Sequence, residues 1–471
     1  MIGFKPRPED DLYSDSLAPV EYNKRSVGYN GIGIIWFGIS VQVSGFICMT
    51  PLLEYYTIGE LFWIFGIGQA LLGLSSFIVQ EIGLKYGISF ATSITACFGP
   101  LGGKIAGLIR VLPNLCFIGT NGFMGATALN QATTVLFNFD NIWFSIILNG
   151  ILVVFVTLKG VKGLAKFSTL AAPVLTIAGF LMFYRLFGEY NVGFTDVMDY
   201  GRLSGYTRNW LYPFAVIVGN YGAVAMGFND YSKDATVRHG ITKSGLYLLI
   251  VSLLWMVPSF IFYSILGCYV LAIVPGSQPT DILGILTNLV AGNNVIFIAA
   301  FSLFVWAAQL STNTAANLLP AIYVICGLAP KHIKPIPAGI CFTAIALFVV
   351  RAWTLGNALD TLLAFFGLAA GPAIAIIGVD YYIFRKRKLS LDDLYNSKGK
   401  YYYWKGINPA AFIAYTLGVA VGYIFFDYSY FVSLVITSIA YYVLAKIYSK
   451  KYPVLCEETA EDVTVDLSAA V

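Results

Sequence analysis

Long apolar stretches constrain the fold of this chain more than any other feature of its sequence. Each has about the 20 residues that an α-helix needs to cross a hydrocarbon core of about 30 Å. The stretches are too long for barrel strands and show no alternation of polar and apolar residues, so we predict an all-α polytopic membrane protein. We predict twelve spans, at residues 31–51, 60–83, 105–136, 142–161, 164–187, 209–229, 243–275, 293–328, 335–353, 355–384, 409–426 and 428–448.

Composition and charge agree with a membrane protein. Only 11% of the residues are charged, whereas a soluble globular protein has about 25%. Of 29 Lys and Arg residues, only Arg185, Arg202, Arg208 and Arg351 fall on the side of the predicted spans opposite the termini. Basic residues accumulate on the cytoplasmic side, so we predict a plasma membrane protein with both termini cytoplasmic. The net charge of +4 is explained by this orientation and does not indicate nucleic-acid binding.

Two predicted spans are interrupted near their middle by glycines and a lone amide, at residues 37–45 and 218–227. Close helix packing through small residues could explain either one alone. The two spans are five apart, however, and paired interruptions predict a transporter with inverted repeats. We therefore divide the chain into a cytoplasmic N-terminal segment 1–30, a first repeat 31–187, a second repeat 209–384, a final helix pair 409–448 and a disordered cytoplasmic tail 453–471.

Span 8 carries a dense polar cluster, QLSTNTAAN, within an otherwise apolar helix. Helical spacing places the Ala308 carbonyl beside the Thr312 hydroxyl, with Ser311 adjacent, and such neutral oxygens suit an alkali cation. Asn313 and Asn317 form a second pair one turn apart, and we expect Asn317 to contact the substrate. Hydrogen bonding between helices is the alternative, but six polar groups are more than helix packing requires.

Span 3 places Phe117 and Asn121 one helical turn apart. An aromatic face and an amide on one stripe would bind a flat ring that has both N–H and C=O groups. Gln42 in the first interruption and Tyr221 in the sixth span add an amide and an aromatic. Core packing could explain each residue alone, but together they indicate a neutral, planar, amide-rich solute.

Charged residues are absent from the middle of the predicted spans, with no Lys, Arg or His there. We expect Asp230 and Asp380, near cytoplasmic helix ends, to form structural ion pairs with Lys233 or the 385–388 cluster. Asp360 has no predicted partner. The seven cysteines have no metal spacing, and no nucleophile with a base, metal set or carboxylate pair is visible, so we predict neither a cofactor nor an enzyme.

Three segments resemble the nucleobase-cation-symport-1 family: STNTAAN at 311–317, GNYGAVAMGFNDYSKDA at 219–235 and GPAIAIIGVDYYIFRKRKLSLDDLY at 371–395. The resemblance covers essentially the whole chain. It implies a leucine-transporter-like fold of two inverted five-helix repeats plus two helices, with helices 1 and 6 broken. It also implies transport of nucleobases, hydantoins, allantoin or related compounds.

Site residues follow from this resemblance. It implies a cation site of the Gly38, Val41 and Ala308 carbonyls with the Ser311 and Thr312 hydroxyls. It implies a substrate site that comprises Gln42, Phe117, Asn121, Gly219, Asn220, Tyr221 and Asn317. A hydantoin carrier of the family has Trp at the positions of Phe117 and Tyr221 and Gln at that of Asn121, so the pocket here differs in size and reach.

We therefore predict a secondary active symporter that takes up a small neutral heterocycle by alternating access. Na⁺ is preferred over H⁺ as coupling ion, because the predicted cation site has no titratable side chain. Proton coupling would instead direct attention to Asp360. The nearest alternative is an amino-acid/cation symporter of the same fold, while a channel, a membrane-bound enzyme and a substrate-sensing receptor are the alternatives from other classes. The sequence does not determine the oligomeric state.

Overall fold

The computed structural model describes residues 4, 7, 9–41, 43–47, 49–278, 282–292, 294–349 and 359–456. Within these residues the chain forms α-helices, short 3₁₀ turns and two π-helical segments, with isolated bridges but no β-strand, as the all-α prediction requires. The helices are, in chain order, α1 Tyr29–Ser40, α2 Val43–Ile47, α3 Ile58–Tyr86, α4 Phe90–Ser93, α5 Thr95–Phe98, α6 Pro100–Phe137, α7 Ile142–Thr157, α8 Gly160–Tyr190, α9 Tyr212–Met226, α10 Asn229–Ser232, α11 Ile241–Ile273, α12 Ile282–Ala291, α13 Val295–Thr312, α14 Leu319–Leu328, α15 Pro335–Val349, α16 Leu359–Gly378, α17 Leu391–Tyr395, α18 Pro409–Ile424 and α19 Ser429–Tyr448.

Seven helical stretches among the described residues are long and apolar enough to cross a membrane, and an eighth span results if the bent pair Tyr29–Ser40 and Gly45–Glu54 is counted as one. The other four predicted spans contain the shorter helices α7, α9, α15 and α18, each of 15 or 16 residues. At 1.5 Å per residue, such helices cover only about three quarters of a bilayer core. The count of twelve spans therefore stays a prediction.

The two predicted interruptions differ in the structure. The first span bends by 60° between Tyr29–Ser40 and Gly45–Glu54. The sixth runs as continuous helix α9 to Met226, ends at Gly227 and resumes as the short α10. The second break thus lies at the end of the 218–227 stretch, not in its middle. The glycines inside α9 serve close packing instead, since the helix keeps its backbone hydrogen bonds where lipid offers none.

Helices α9 and α16 meet backbone to backbone through glycine. A Cβ atom on Gly219 would lie 1.5 Å from the carbonyl oxygen of Leu363, and one on Gly367 would lie 2.2 Å from that of Ala215. Only glycine permits this approach, as is common between membrane helices. The α9–α16 pair and the α6–α13 pair make extensive contacts, and α1 packs against α8 and α11.

A π-helical segment, Asn313–Leu318, joins α13 to α14 in the polar part of span 8. A second π-segment, Val379–Phe384, follows α16. The wider π-turn changes the angular position of every later side chain, so α-helical spacing does not describe Asn313 and Asn317. Insertions of this kind occur frequently at functional sites.

The side of the molecule that carries both termini is held by polar contacts. Arg25 donates from Nε to the Val20 carbonyl at 3.0 Å and also bonds the Leu84 carbonyl at the end of α3. Burial lowers the pKa of Arg25 to about 10, which leaves it charged at neutral pH. These bonds fasten the N-terminal segment to α3.

The predicted tail is ordered at its start. Pro453–Leu455 form a 3₁₀ turn that packs against α19, and Leu455 is buried. The predicted disorder is therefore wrong for these residues. Residues 457–471 lie outside the described part of the chain.

Candidate functional site

The break after α1 brings together three of the five predicted cation ligands. The Thr312 hydroxyl donates to the Gly38 carbonyl at 2.9 Å. A Cβ atom on Gly38 would lie 2.6 Å from Ser311 Oγ and 2.9 Å from Ser168 Oγ, so two hydroxyls sit directly against this glycine. A larger residue at position 38 would displace both.

The other two predicted ligands lie nearby along the same helices. Val41 is the residue that ends α1, with φ −86° and ψ 78°, and it is fully buried. Ala308 is buried one turn before Thr312 in α13. Both positions are consistent with carbonyls near the break, and of the five predicted ligands the contacts described above involve Gly38, Ser311 and Thr312.

Ser168 on α8 is a candidate site residue that sequence reasoning missed. Its Oγ lies 3.4 Å from that of Ser311, and its side chain is buried. The neighbouring Thr169 hydroxyl instead bonds back to the Ala165 carbonyl at 2.7 Å. The signal in the sequence was the small-residue spacing Ala165, Ser168 and Ala172, which marks the buried face of α8.

Two asparagines of the π-segment form a chain of hydrogen bonds toward α6. Asn317 donates from Nδ2 to Asn313 Oδ1 at 3.0 Å, and Asn313 donates from Nδ2 to the Ile118 carbonyl at 3.3 Å. Both side chains are buried. Asn313 thus uses both of its polar groups to position the segment, and Asn317 stands at the end of the chain.

The α6 side of the site contains Phe117 and Asn121. Phe117 is half-buried and Asn121 is fully buried. In the sequence they flank Ile118, whose carbonyl accepts the hydrogen bond from Asn313. A Cβ atom on the next residue, Gly122, would lie 3.5 Å from Asn313 Nδ2. The structure therefore brings the predicted residues of α6 and of the π-segment to one interface.

Helix α9 contributes an aromatic wall. The Tyr221 ring meets Phe260 edge-on at 5.3 Å and Trp36 of α1 at 6.5 Å. Asn220 is buried beside it. Gly219 faces the Leu363 carbonyl, so its contact is with α16. Gln42, the remaining predicted substrate residue, lies outside the described residues.

Three carboxylates outside this site have partners. Asp380 pairs with Arg385 at 2.5 Å, as predicted, and Asp360 accepts a hydrogen bond from the Tyr212 hydroxyl at 2.9 Å. The predicted pairing of Asp230 with Lys233 is wrong. Asp230 pairs with Arg110 at 2.5 Å.

Arg110 of α6 is fully buried and caps the second helix break. Its Nε donates to the Ala223 carbonyl at 2.7 Å and its Nη2 reaches the Gly227 carbonyl at 3.4 Å, and these groups lie where α9 ends. Asp230 also accepts from the Phe90 amide at 2.8 Å. The arrangement satisfies carbonyls that an interrupted helix leaves without partners. The signal was a lone arginine near one end of predicted span 3.

Comparison with known proteins shows the family. Residues 19–449 match the family model described as permease for cytosine/purines, uracil, thiamine, allantoin. The chain belongs to this family. Its members are transporters and not enzymes. This confirms the prediction of a transporter and the prediction that the protein is not an enzyme.

Named relatives cover nearly the whole chain. A hydantoin permease of Microbacterium maritypicum is 28% identical over 95% of this chain and 91% of its own length. An allantoin permease of Bacillus subtilis (strain 168) is 27% identical over 93% of this chain and 94% of its own.

A solved structure confirms the fold. The nucleobase-cation-symport-1 transporter Mhp1, in a closed conformation with bromovinylhydantoin bound, superposes with a TM-score of 0.88 at 28% identity, over 95% of this chain and 98% of that one. The chain therefore has the leucine-transporter-like fold that the sequence predicted.

Proposed function

We propose that this protein is a sodium-coupled symporter that takes up a neutral planar solute, a nucleobase, hydantoin or allantoin-like compound, across the plasma membrane by alternating access. Both termini are cytoplasmic in this proposal. The observation that best supports the proposal is the hydrogen bond of 2.9 Å from the Thr312 hydroxyl to the Gly38 carbonyl, at the break of the first span. This contact adjoins the asparagine chain from Asn313 to Asn317.

Sodium is the proposed ion because the groups at the break are neutral oxygens. Hydroxyls and carbonyls bind an alkali cation without losing a proton, whereas proton coupling requires a titratable group. Ser168 supplies a further hydroxyl, 3.4 Å from that of Ser311. Asp360, to which proton coupling would direct attention, lies at the start of α16 and accepts a hydrogen bond from Tyr212 at the start of α9.

The proposed substrate class follows from side chains that offer hydrogen bonds and ring faces without charge. Asn317 can both donate and accept, and Phe117 presents an aromatic face on α6. Relatives named for hydantoin and allantoin transport fit this class, since both compounds carry adjacent N–H and C=O groups. An amino acid would require groups that bind a carboxylate, so the amino-acid symporter of the same fold is the weaker proposal.

In this proposal, ion binding and substrate binding are coupled because both sites use helix α1. A cation held at the α1 break would fix α1, whose Trp36 also meets Tyr221 of the proposed substrate site, and this makes the two binding events mutually favourable. The inward sodium gradient then drives uptake as the helices that carry the break rock against the remaining helices.

The test is uptake into proteoliposomes of uracil, cytosine, adenine, hypoxanthine, allantoin, a benzyl-hydantoin and one amino acid, each with a sodium and with a proton gradient. Sodium-driven accumulation of a ring compound supports the proposal. Accumulation driven only by protons, or only of the amino acid, contradicts it.

A matched pair of variants tests the cation site itself. Thr312→Val keeps the shape but removes the hydroxyl, and should weaken sodium activation about tenfold through the loss of one cation ligand. Thr169→Val removes a hydroxyl whose one hydrogen bond within the described part of the chain goes back to Ala165 of its own helix. Its sodium dependence should stay unchanged. Equal effects of the two would contradict the assignment of Thr312.

A further inference from the structure

A cavity of about 340 Å³ opens on the side opposite the termini, between the start of α3 and the loop that precedes α9. We call it the outer cavity. Three charged side chains, Glu60, Arg202 and Arg208, line it together with four aromatic ones. Its volume falls in the range of about 300–1,000 Å³ that is typical of small-molecule sites.

Hydrogen bonds hold the walls of the outer cavity in place. The Tyr56 hydroxyl donates to the Asn209 carbonyl at 2.6 Å, and the Asn209 side chain donates to the Tyr428 hydroxyl at 2.8 Å. The Arg202 amide donates to the Tyr56 carbonyl at 3.3 Å. The loop is therefore fixed to the segment before α3 and to the connection before α19.

The charges in the outer cavity are concentrated and balanced. Only four basic residues of the whole chain are predicted on this side, and two of them, Arg202 and Arg208, meet here. Arg202 pairs with Glu60, while Arg208 donates to Asp427 at 2.8 Å. The Arg208 guanidinium also lies 3.6 Å from the centroid of the Tyr212 ring. The outer cavity therefore offers cationic, anionic and aromatic surfaces at once.

The outer cavity continues onto a surface that faces lipid. Trp63 and Trp210 at its rim are 70% and 62% exposed, as tryptophans at a membrane interface are. Ile67 and Leu74 follow Trp63 along the same helix and are also exposed. An apolar stripe thus runs from the charged cavity toward the middle of the bilayer.

We propose that the outer cavity binds the headgroup of a zwitterionic phospholipid that has a primary ammonium group. Arginines bind phosphate through paired N–H donors, and Glu60 and the tyrosine faces suit an ammonium group. The acyl chains lie along Trp63, Ile67 and Leu74. A neutral flat solute would gain little from two ion pairs, so the outer cavity is distinct from the proposed transport site, and the inference does not depend on which solute is carried.

The test is native mass spectrometry of protein equilibrated with equal amounts of phosphatidylethanolamine, phosphatidylglycerol and phosphatidylcholine. We expect preferential retention of phosphatidylethanolamine. Arg202→Gln and Arg208→Gln should each lower that retention about tenfold, the loss of one charged hydrogen-bond donor set. Arg185→Gln is the matched control, because Arg185 is exposed on the same side, on α8, and does not line the cavity.

Each outcome decides the inference. Equal retention in the three variants would place lipid binding elsewhere, and preference for phosphatidylglycerol would overturn the zwitterionic headgroup. If Arg208→Gln does not fold, quenching of tryptophan fluorescence by brominated phosphatidylethanolamine replaces it. Quenching should fall in Trp63→Phe and in Trp210→Phe, and undiminished quenching in both would overturn the site.

Discussion

Asn313 and Asn317 make different contacts although they are four residues apart and joined by a hydrogen bond. Asn313 also binds the Ile118 carbonyl, so it positions the π-segment, while Asn317 ends the chain of bonds. We expect Asn317→Ala to impair transport without preventing insertion, and Asn313→Ala to be milder for transport. Substrate binding and uptake by both variants check this, with membrane insertion as control. Loss of binding in Asn313→Ala alone would reverse the assignment.

Gln69 and Gln309 are buried amides whose side-chain atoms have no hydrogen-bond partner among the described residues. Such a group costs about 1–3 kcal/mol. Replacement of Gln69 by Met, of similar volume, should therefore raise the thermal unfolding temperature. Gln309 lies one turn before Asn313 and beside Gly125 of α6, so Gln309→Met should raise stability and also alter uptake kinetics. A lower unfolding temperature for Gln69→Met would show that its amide has a partner.

At the level of helices, the backbone contact between α9 and α16 depends on Gly219. A Cβ atom on Gly219 would lie only 1.5 Å from the Leu363 carbonyl oxygen, so Gly219→Ala must push the two helices apart. We expect a loss of more than about 3 kcal/mol, comparable to severe overpacking, or failure to fold. Gly284→Ala in α12 is the control, because nothing lies within 4 Å of its Cβ position. Thermal unfolding in detergent should separate the two.

Sequence reasoning succeeded where one helix carries its own pattern. The hydroxyls of Ser311 and Thr312 and the break in the first span were predicted from their own spans, whereas Gly38 as a ligand was implied by the family resemblance; the structure places Thr312 against Gly38. Sequence reasoning failed where the contact of a side chain depends on a residue that is distant in the sequence. Arg110 meets Asp230 across 120 residues, and Ser168 meets Ser311 across 143. Nothing in local spacing fixes such pairs, and the π-segment after Thr312 likewise breaks the regular helical period.

For the molecule as a whole, the Arg110–Asp230 pair connects the two predicted repeats, since α6 belongs to the first and α10 to the second. Both side chains are fully buried. Removal of one partner from such a pair typically costs about 3–5 kcal/mol, because it leaves a buried charge without compensation. The pair also joins α6 to the break that follows α9, so it is expected to restrain the motion of the broken helices against the remaining ones on the side that carries the termini.

Asp230→Asn tests this restraint. The Phe90 amide donates to Asp230 at 2.8 Å, so the variant should lose hydrogen-exchange protection at Phe90 as the pair weakens. Asp380→Asn is the control, because Asp380 pairs with Arg385 and Tyr441 and has no bond to Phe90. Equal loss of protection at Phe90 in both variants would indicate general destabilisation and contradict the specific role.

In the proposed cation site, the Thr312 bond to the Gly38 carbonyl would also compete with the ion. Both oxygens are proposed cation ligands, and the hydroxyl must turn its hydrogen away before a cation can bind. The protein's own bond, worth about 0.6–1 kcal/mol, then lowers cation affinity about three- to fivefold. In the proposed sodium-coupled cycle, this lower affinity would favour release of the ion into a compartment with little sodium, so the strength of one internal hydrogen bond would affect how completely each cycle releases its ion.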